Sequence, residues 1–389
     1  MRTFTVISKK KFDVVIIDIN ASEWLNYCIP EGLSICPVDI DKRLPIVKSL
    51  SFLYSLLKKV ANNGVTSTSL LAAIIEELNP KVVITFIDDN KFMGPLQTLF
   101  PEKLIISIQN GLRLTDPNYR PMGKYLSFPN YFGFGEHELS MMKVKNASVA
   151  EYYSVGSLRM GIFLTHFYKP KRKPSHEICL ISGYGRSVFN SSTELNVELA
   201  LSWNNICKFL SKFSKDNGIK ITVAMRYPVN HEEFLDEQKY YEDNIGQKSI
   251  VCFANDRKTL SAYQTGMDSV VVVSLMSTLM FELLGMGKKI LCCGIANNNL
   301  AKILDTRVQC EKIPKIFLLE KWDYDEFESK LLNVLEMQDE RYQSLIKDSK
   351  RYYMACSKPP PHEIIYNTLL SKFKPNRLPC VEKYNNNAK

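Results

Sequence analysis

A chain of 389 residues, 45% hydrophobic and 23% charged, is too long for one core of ordinary size and too apolar to be disordered, so two globular domains are expected. The formal net charge of +9 favours anionic ligands or an anionic membrane surface. The excess is partly local, in KPKRKP (169 to 174) and in the tail from Lys372, and is not a sign of nucleic-acid binding.

From the N-terminus, DVVIID (13 to 18) reads as a strand, followed by helices near 44 to 60 and 67 to 77, the second ended by Asn79-Pro80. KVVITFID (81 to 88), KLIISIQ (103 to 109), YFGFG (131 to 135) and YYSVG (152 to 156) are the next strands. Continuous Val/Ile-rich runs between helices indicate a parallel sheet buried on both faces. YKPKRKPSH (168 to 176) resists helix and sheet and reads as a linker. Alternation then restarts: EICLIS (177 to 182), a helix near 193 to 216, KITVAMR (220 to 226), a helix near 231 to 244, SIVCF (249 to 253), a helix near 257 to 265, DSVVVVS (268 to 274), a helix from 277 and KKILCC (288 to 293). Helices near 323 to 337 and 339 to 357 follow, then a Pro359 to Pro361 break and HEIIYNTLLSKF (362 to 373). The expected domains are therefore 1–167 and 177–358, joined by 168–176, with 359–373 returning to the first domain and 374–389 a flexible tail.

No apolar run reaches the ~18 to 20 residues of a spanning helix. The opening MRTFTVISKKKFDVV has lysines where an export signal needs apolar residues, so a cytoplasmic chain is expected, at most peripheral to a membrane. The ten cysteines show no CxxC spacing and read as free buried thiols.

In such sheets ligands bind at the carboxyl ends of the strands, so function is sought in strand-to-helix loops. In VVVVSLMSTLMFELLG (270 to 285) the strand ends near Ser274 and the helix starts with Ser277 as its cap. Its free amides and positive dipole end, with the Ser277 and Thr278 hydroxyls, suit a phosphate. Glu282, four residues after Thr278, shares its face of the helix and could accept hydrogen bonds from a ribose diol. The spacing fits one nucleoside diphosphate.

This segment resembles the donor-binding motif of GT-B glycosyltransferases, and more closely that of bacterial-type surface-carbohydrate biosynthesis proteins, in which a Gly-Lys-Lys turn, here Gly287 to Lys289, leads to the next strand. NPKVVITFIDDN, IISIQNGLR, YFGFGEHE, VGSLRMGIF and EICLISGYGR carry the same likeness, in order, from residue 13 to about 300. The resemblance implies two Rossmann-like parallel-sheet domains facing across a cleft, the first for an acceptor and the second for a nucleotide sugar. It places Gly183, Gly185 and Arg186 beside the phosphates, with Arg226 a second cation. On the acceptor side Asn90, Gln109 and Asn110 follow buried strands; related transferases tend to have His-Gly where this chain has Asn110-Gly111.

An inverting transfer needs a base near the acceptor hydroxyl, for which Asp88 and Glu136 come first and His137 and Asp18 follow. Asp39 and Asp41 match a DxD metal pattern, but the resemblance implies no metal requirement and no cofactor beyond the nucleotide sugar as co-substrate. The expected activity is sugar transfer from a nucleotide-diphosphate donor to a glycan or lipid-linked acceptor in surface-polysaccharide synthesis. A non-hydrolysing sugar-nucleotide epimerase and a non-catalytic two-domain ligand-binding protein are the alternatives.

Overall fold

The computed structural model describes residues 3–7, 10–18, 22–39, 43–64, 66–87, 90–112, 126–144 and 146–373. These fall into two compact units. The first comprises the described residues up to Asn110, those from Leu126 to Ile162 and those from Ser357 on; the second comprises Gly111, Leu112 and Phe163–Cys356.

In chain order the strands of the first unit are β1 (Thr3–Ile7), β2 (Val14–Ile17), β3 (Ile35–Val38), β4 (Arg43–Val47), β5 (Val82–Thr85), β6 (Leu104–Ile108), β7 (Ser127–Gly133) and β8 (Ser148–Ser154). Six of them form one parallel sheet in the order β3-β2-β5-β6-β7-β8, while β1 and β4 pair separately. Val14 to Ile17 and Val82 to Thr85 are buried throughout, as a sheet covered on both faces requires. The Ser67–Leu78 helix packs Leu71, Ile74 and Ile75 onto that sheet. It ends where Asn79 turns left-handed and its N–H caps the Ile75 carbonyl at 2.9 Å. The Pro361–Phe373 helix belongs to this unit, with Pro361 set directly against Gly161.

The second unit has β9 (His176–Ile181), β10 (Ile221–Ala224), β11 (Ile250–Phe253), β12 (Ser269–Ser274) and β13 (Lys289–Cys292), all parallel in the order β11-β10-β9-β12-β13. Gly287 makes the turn into β13 with φ +88°, a left-handed conformation that glycine takes without a Cβ penalty.

Two expectations near the N-terminus change. A helix was expected from residue 44, but residues 43 to 47 are a strand and the helix begins at Leu50, after Ser49 caps it by accepting from the Phe52 N–H. The strands β1, β3 and β4 were not expected; in β3 and β4, Pro37 and Pro45 argue against sheet. Both sit on strands that pair on one side only, where a missing N–H breaks no ladder.

Candidate functional site

Strand order fixes where a ligand can sit. In the second unit the chain starts at central β9, runs outward through β10 and β11, then returns to the other side of β9 as β12. Connections leaving β9 and β12 therefore diverge to opposite faces, and the crevice outside their carboxyl ends is the topological switch point. The loop holding Gly183 and Gly185 follows β9, and Ser277 and Thr278 follow β12, so the structure brings these four residues to that place. Arg226 follows β10, the neighbour of β9.

At the end of β12 the Thr278–Gly285 helix has Ser277 as its N-cap in extended conformation, and the Ser277 side chain makes no capping bond. The first amides of the helix, which have no acceptor within it, are thus not occupied by that hydroxyl. The Thr278 hydroxyl accepts from the Leu112 N–H at 3.0 Å and keeps its own proton to donate. Glu282 lies one turn in, as its spacing predicts, but is only 3% exposed.

The loop after β9 is shaped by its neighbours. A Cβ on Gly183 would fall 2.1 Å from Trp203 Cζ2, so glycine is required there for the indole, a reason the sequence reading did not supply. A Cβ on Gly185 would meet Arg226 Nη1 at 3.2 Å. Arg186 is exposed and committed to Asp236, with Nη2 and Nε donating to one carboxylate oxygen at 2.6 and 3.1 Å. Arg226 has no carboxylate within ion-pair distance among the described residues; its Nη1 donates to the Tyr184 carbonyl at 3.1 Å and its guanidinium lies 5.4 Å from the Tyr227 ring centre. Of the two arginines, Arg226 is the one left for an anion.

Glu237 was not anticipated. It is fully buried, and its oxygens accept from the Arg226 N–H at 2.7 Å, the Tyr227 N–H at 3.1 Å and the Ser182 hydroxyl. Ser182 in turn accepts from the Tyr241 hydroxyl at 2.9 Å and the Tyr184 N–H at 3.2 Å. One carboxylate thus ties the end of β10 to the end of β9. Burial raises its carboxyl above the ordinary 4.5, opposed by these donors and by the Arg226 charge. The only sequence signal was its place four residues before Tyr241, on the same face of an acid-rich helix.

The first unit has its switch point between β2 and β5, whose order with β3 and β6 is of the flavodoxin kind. Asp18, at the end of β2, is buried with a left-handed φ of 60°, and Asn90 Nδ2 donates to its carboxylate. Asn90 also accepts from the Phe92 N–H at 2.9 Å, so it is held at both ends of its amide. These two candidates meet. Gln109 does not join them: its Nε2 donates to Glu138 at 2.8 Å and its Oε1 accepts from the Phe134 N–H at 2.7 Å, making it a buried tie between the β6 and β7 ends. Asn110, next to it, is half-buried.

Glu136 starts the Glu136–Val144 helix half-buried, whereas His137 beside it is wholly buried. Gly133 gives room to Tyr152, whose hydroxyl oxygen an added Cβ would meet at 2.1 Å, rather than to a ligand. Asp88 and Asp41 lie outside the described residues. Among those described, no group of three or more His, Cys, Asp or Glu could hold a metal, and no helix is long and apolar enough to cross a membrane. Every described cysteine is a free thiol.

The model of a family described as "putative O-antigen biosynthesis protein" matches residues 141–347, just over half of the chain. No curated protein matches in sequence. Among solved structures, S. aureus MnaA with UDP is similar at a TM-score of 0.58 and 12% identity, covering 96% of this chain and 100% of that one. The Neisseria meningitidis UDP-GlcNAc 2-epimerase bound to UDP-GlcNAc is similar at 0.52 and 11%, covering 95% and 100%. The wall teichoic acid polymerase TagF is similar at 0.51 and 11%, covering 93% and 89%. At these identities the likeness is one of fold, the GT-B pair of Rossmann-like units.

Proposed function

The chain belongs to this O-antigen biosynthesis family, and from that premise we propose that it is a glycosyltransferase, moving a sugar from a nucleotide-diphosphate donor to a glycan or lipid-linked acceptor. The observation that carries the reading is the coincidence of candidate residues with switch points. Gly185, Ser277 and Thr278 stand at that of the second sheet, with Arg226 one strand away, and Asp18 and Asn90 stand at that of the first.

In this reading the diphosphate meets the free amides at the start of the Thr278–Gly285 helix, with the Ser277 and Thr278 hydroxyls as further donors and Arg226 offsetting charge. Glu282 takes the ribose hydroxyls. The acceptor hydroxyl is deprotonated by a first-unit base, Asp88 or Glu136, with Asp18 and His137 next in rank. No metal or cofactor is given a role.

The test is product analysis. The protein is incubated with a panel of nucleotide sugars, with and without glycan or lipid-linked acceptors. Transfer predicts nucleoside diphosphate released in step with a glycosylated acceptor. A nucleotide sugar of inverted configuration, formed with no acceptor present, would replace this reading with the epimerase one. No turnover of any donor would leave a binding protein.

A further inference from the structure

The Leu50–Asn63 helix is apolar on the face it should hide and on the face it shows. Its inner side is conventional: Phe52 is buried, Leu56 packs on the same core, and the Ser55 hydroxyl donates to Glu76 at 2.9 Å. On the outer side Leu50 is 87% exposed, Leu53 51%, Tyr54 72% and Leu57 60%. Those positions are spaced three, four and seven residues from the first, so they form one stripe opposite the inner face. Single exposed leucines are ordinary on a folded protein, but four large apolar side chains in a row mark a contact surface.

Charge decides what the stripe contacts. From residue 42 to residue 75 the sequence holds five basic residues and no acidic one. Lys48 and Lys58 are exposed at the ends of the stripe region. The acids of the neighbouring helix, Glu76 and Glu77, are already engaged, Glu76 by Lys59 at 3.1 Å and Glu77 by the Ser51 hydroxyl at 2.9 Å. A second copy of the chain, docked about a two-fold axis, would lay this face on itself and set lysine against lysine. An anionic bilayer surface matches both features: its acyl boundary takes the leucines and tyrosine, and its headgroups take the lysines.

We propose that the outer face of the Leu50–Asn63 helix docks the protein on an anionic lipid surface, with Leu50, Leu53, Tyr54 and Leu57 entering the interface and Lys48 and Lys58 meeting the headgroups. The inference stands apart from the donor reading. Vesicle binding needs no nucleotide sugar, and failure of one leaves the other standing.

The experiment is co-sedimentation of the full chain with vesicles of phosphatidylcholine alone or mixed with phosphatidylglycerol. Binding is expected to the mixed vesicles, weakened by salt, and little to the neutral ones. Leu53→Glu with Leu57→Glu should lower the partition by at least about tenfold, and Lys48→Glu with Lys58→Glu by a similar factor. Both pairs should leave circular dichroism unchanged, since the altered side chains are exposed. A wild-type chain that stays in solution with anionic vesicles overturns the proposal. So does a Leu53→Glu, Leu57→Glu variant that binds them normally, whether or not sedimentation shows it to have lost a dimer.

Discussion

Replacing Glu237 tests whether a single carboxylate holds the loops after β9 and β10 from behind. Its oxygens accept two backbone N–H groups, at 2.7 and 3.1 Å, and one hydroxyl, at a fully buried position. Alanine would leave those donors without an acceptor where water does not reach. At about 1 to 3 kcal/mol for each stranded group, less what local relaxation recovers, the expected loss is ~3 to 5 kcal/mol. That is a large part of the ~5 to 15 kcal/mol by which domains are stable. Glutamine keeps one acceptor oxygen and removes a charge whose burial is unfavourable, so its cost should be only ~1 to 2 kcal/mol. The pH dependence has a definite sign. Burial raises the Glu237 carboxyl above 4.5 in the folded state, so the folded form resists ionisation more than the unfolded one. Its contribution to stability therefore declines as pH rises from the unfolded value through the folded one, then levels off. The advantage of wild type over Glu237→Gln should shrink across that window as pH increases. Urea unfolding of the three proteins, followed by fluorescence between acid and neutral pH, measures all of this. An alanine variant losing under ~1 kcal/mol, or an advantage that grows with pH, would refute the account.

Glu282→Ala should weaken nucleoside-diphosphate binding by ~1.5 to 3 kcal/mol in a calorimetric titration while the fold persists; unchanged affinity would remove Glu282 from the donor site. Burial pushes the Lys288 ammonium down to about 8, while its Nζ donates to the Met267 carbonyl at 2.9 Å. Its folded value lies below the unfolded 10.5, so the unfolded chain binds more protons between the two and Lys288 adds stability as pH rises through that window. Lys288→Met should abolish that slope in melting temperatures compared on either side of about pH 9, and a variant keeping it would show the wrong group was chosen. Asp88→Asn or Glu136→Gln should lower turnover by about 10² to 10⁴ with donor binding preserved; if neither does, the base is elsewhere or the transfer retains configuration. Activity should survive EDTA, and loss restored by manganese or magnesium would introduce a metal that the present reading leaves out.

The regular part of the fold was legible because parallel strands buried on both faces leave unbroken Val/Ile runs. VVII, VVIT, LIISI and SVVVVS appear in the sequence much as they stand in the sheets. Edge strands β3 and β4 were not legible, since ICPV and RLPIV carry proline and gain their pairing from one neighbour only, whereas the proline-free edges β11 and β13 were. At the site, cap and loop residues could be read because Ser277 and Gly185 are tied to turns that a sequence announces. Glu237 could not, because HEEFLDEQ (231 to 238) offers several acids and only packing selects the one that faces inward. For the same reason Gln109 looked like a ligand-facing amide, although its partners Glu138 and Phe134 are 29 and 25 residues away. Arg186 and Arg226 look alike in sequence, and only the Asp236 carboxylate separates them.

Both loops at the second switch point are stiffened by groups that need never touch a ligand. The loop after β9 cannot drift toward Trp203, against which Gly183 already sits, and its Ser182 hydroxyl is locked to Glu237. The loop after β12 is wedged in the same way. A Cβ on Gly294 would meet the Leu275 carbonyl at 2.7 Å and Met276 Cγ at 2.5 Å, and the Cys292 and Cys310 thiols contact the Met276 sulfur at 4.0 and 3.8 Å. Ser277 and Thr278 therefore project from a backbone that close packing fixes on its inner side. If the proposed donor site is right, amides held this way would need no further ordering on diphosphate binding, so binding energy would go to the ligand and not to shaping the loop. It follows that Gly183 and Gly294 should tolerate substitution less well than Gly185, where the atom that must yield is the far end of the Arg226 side chain.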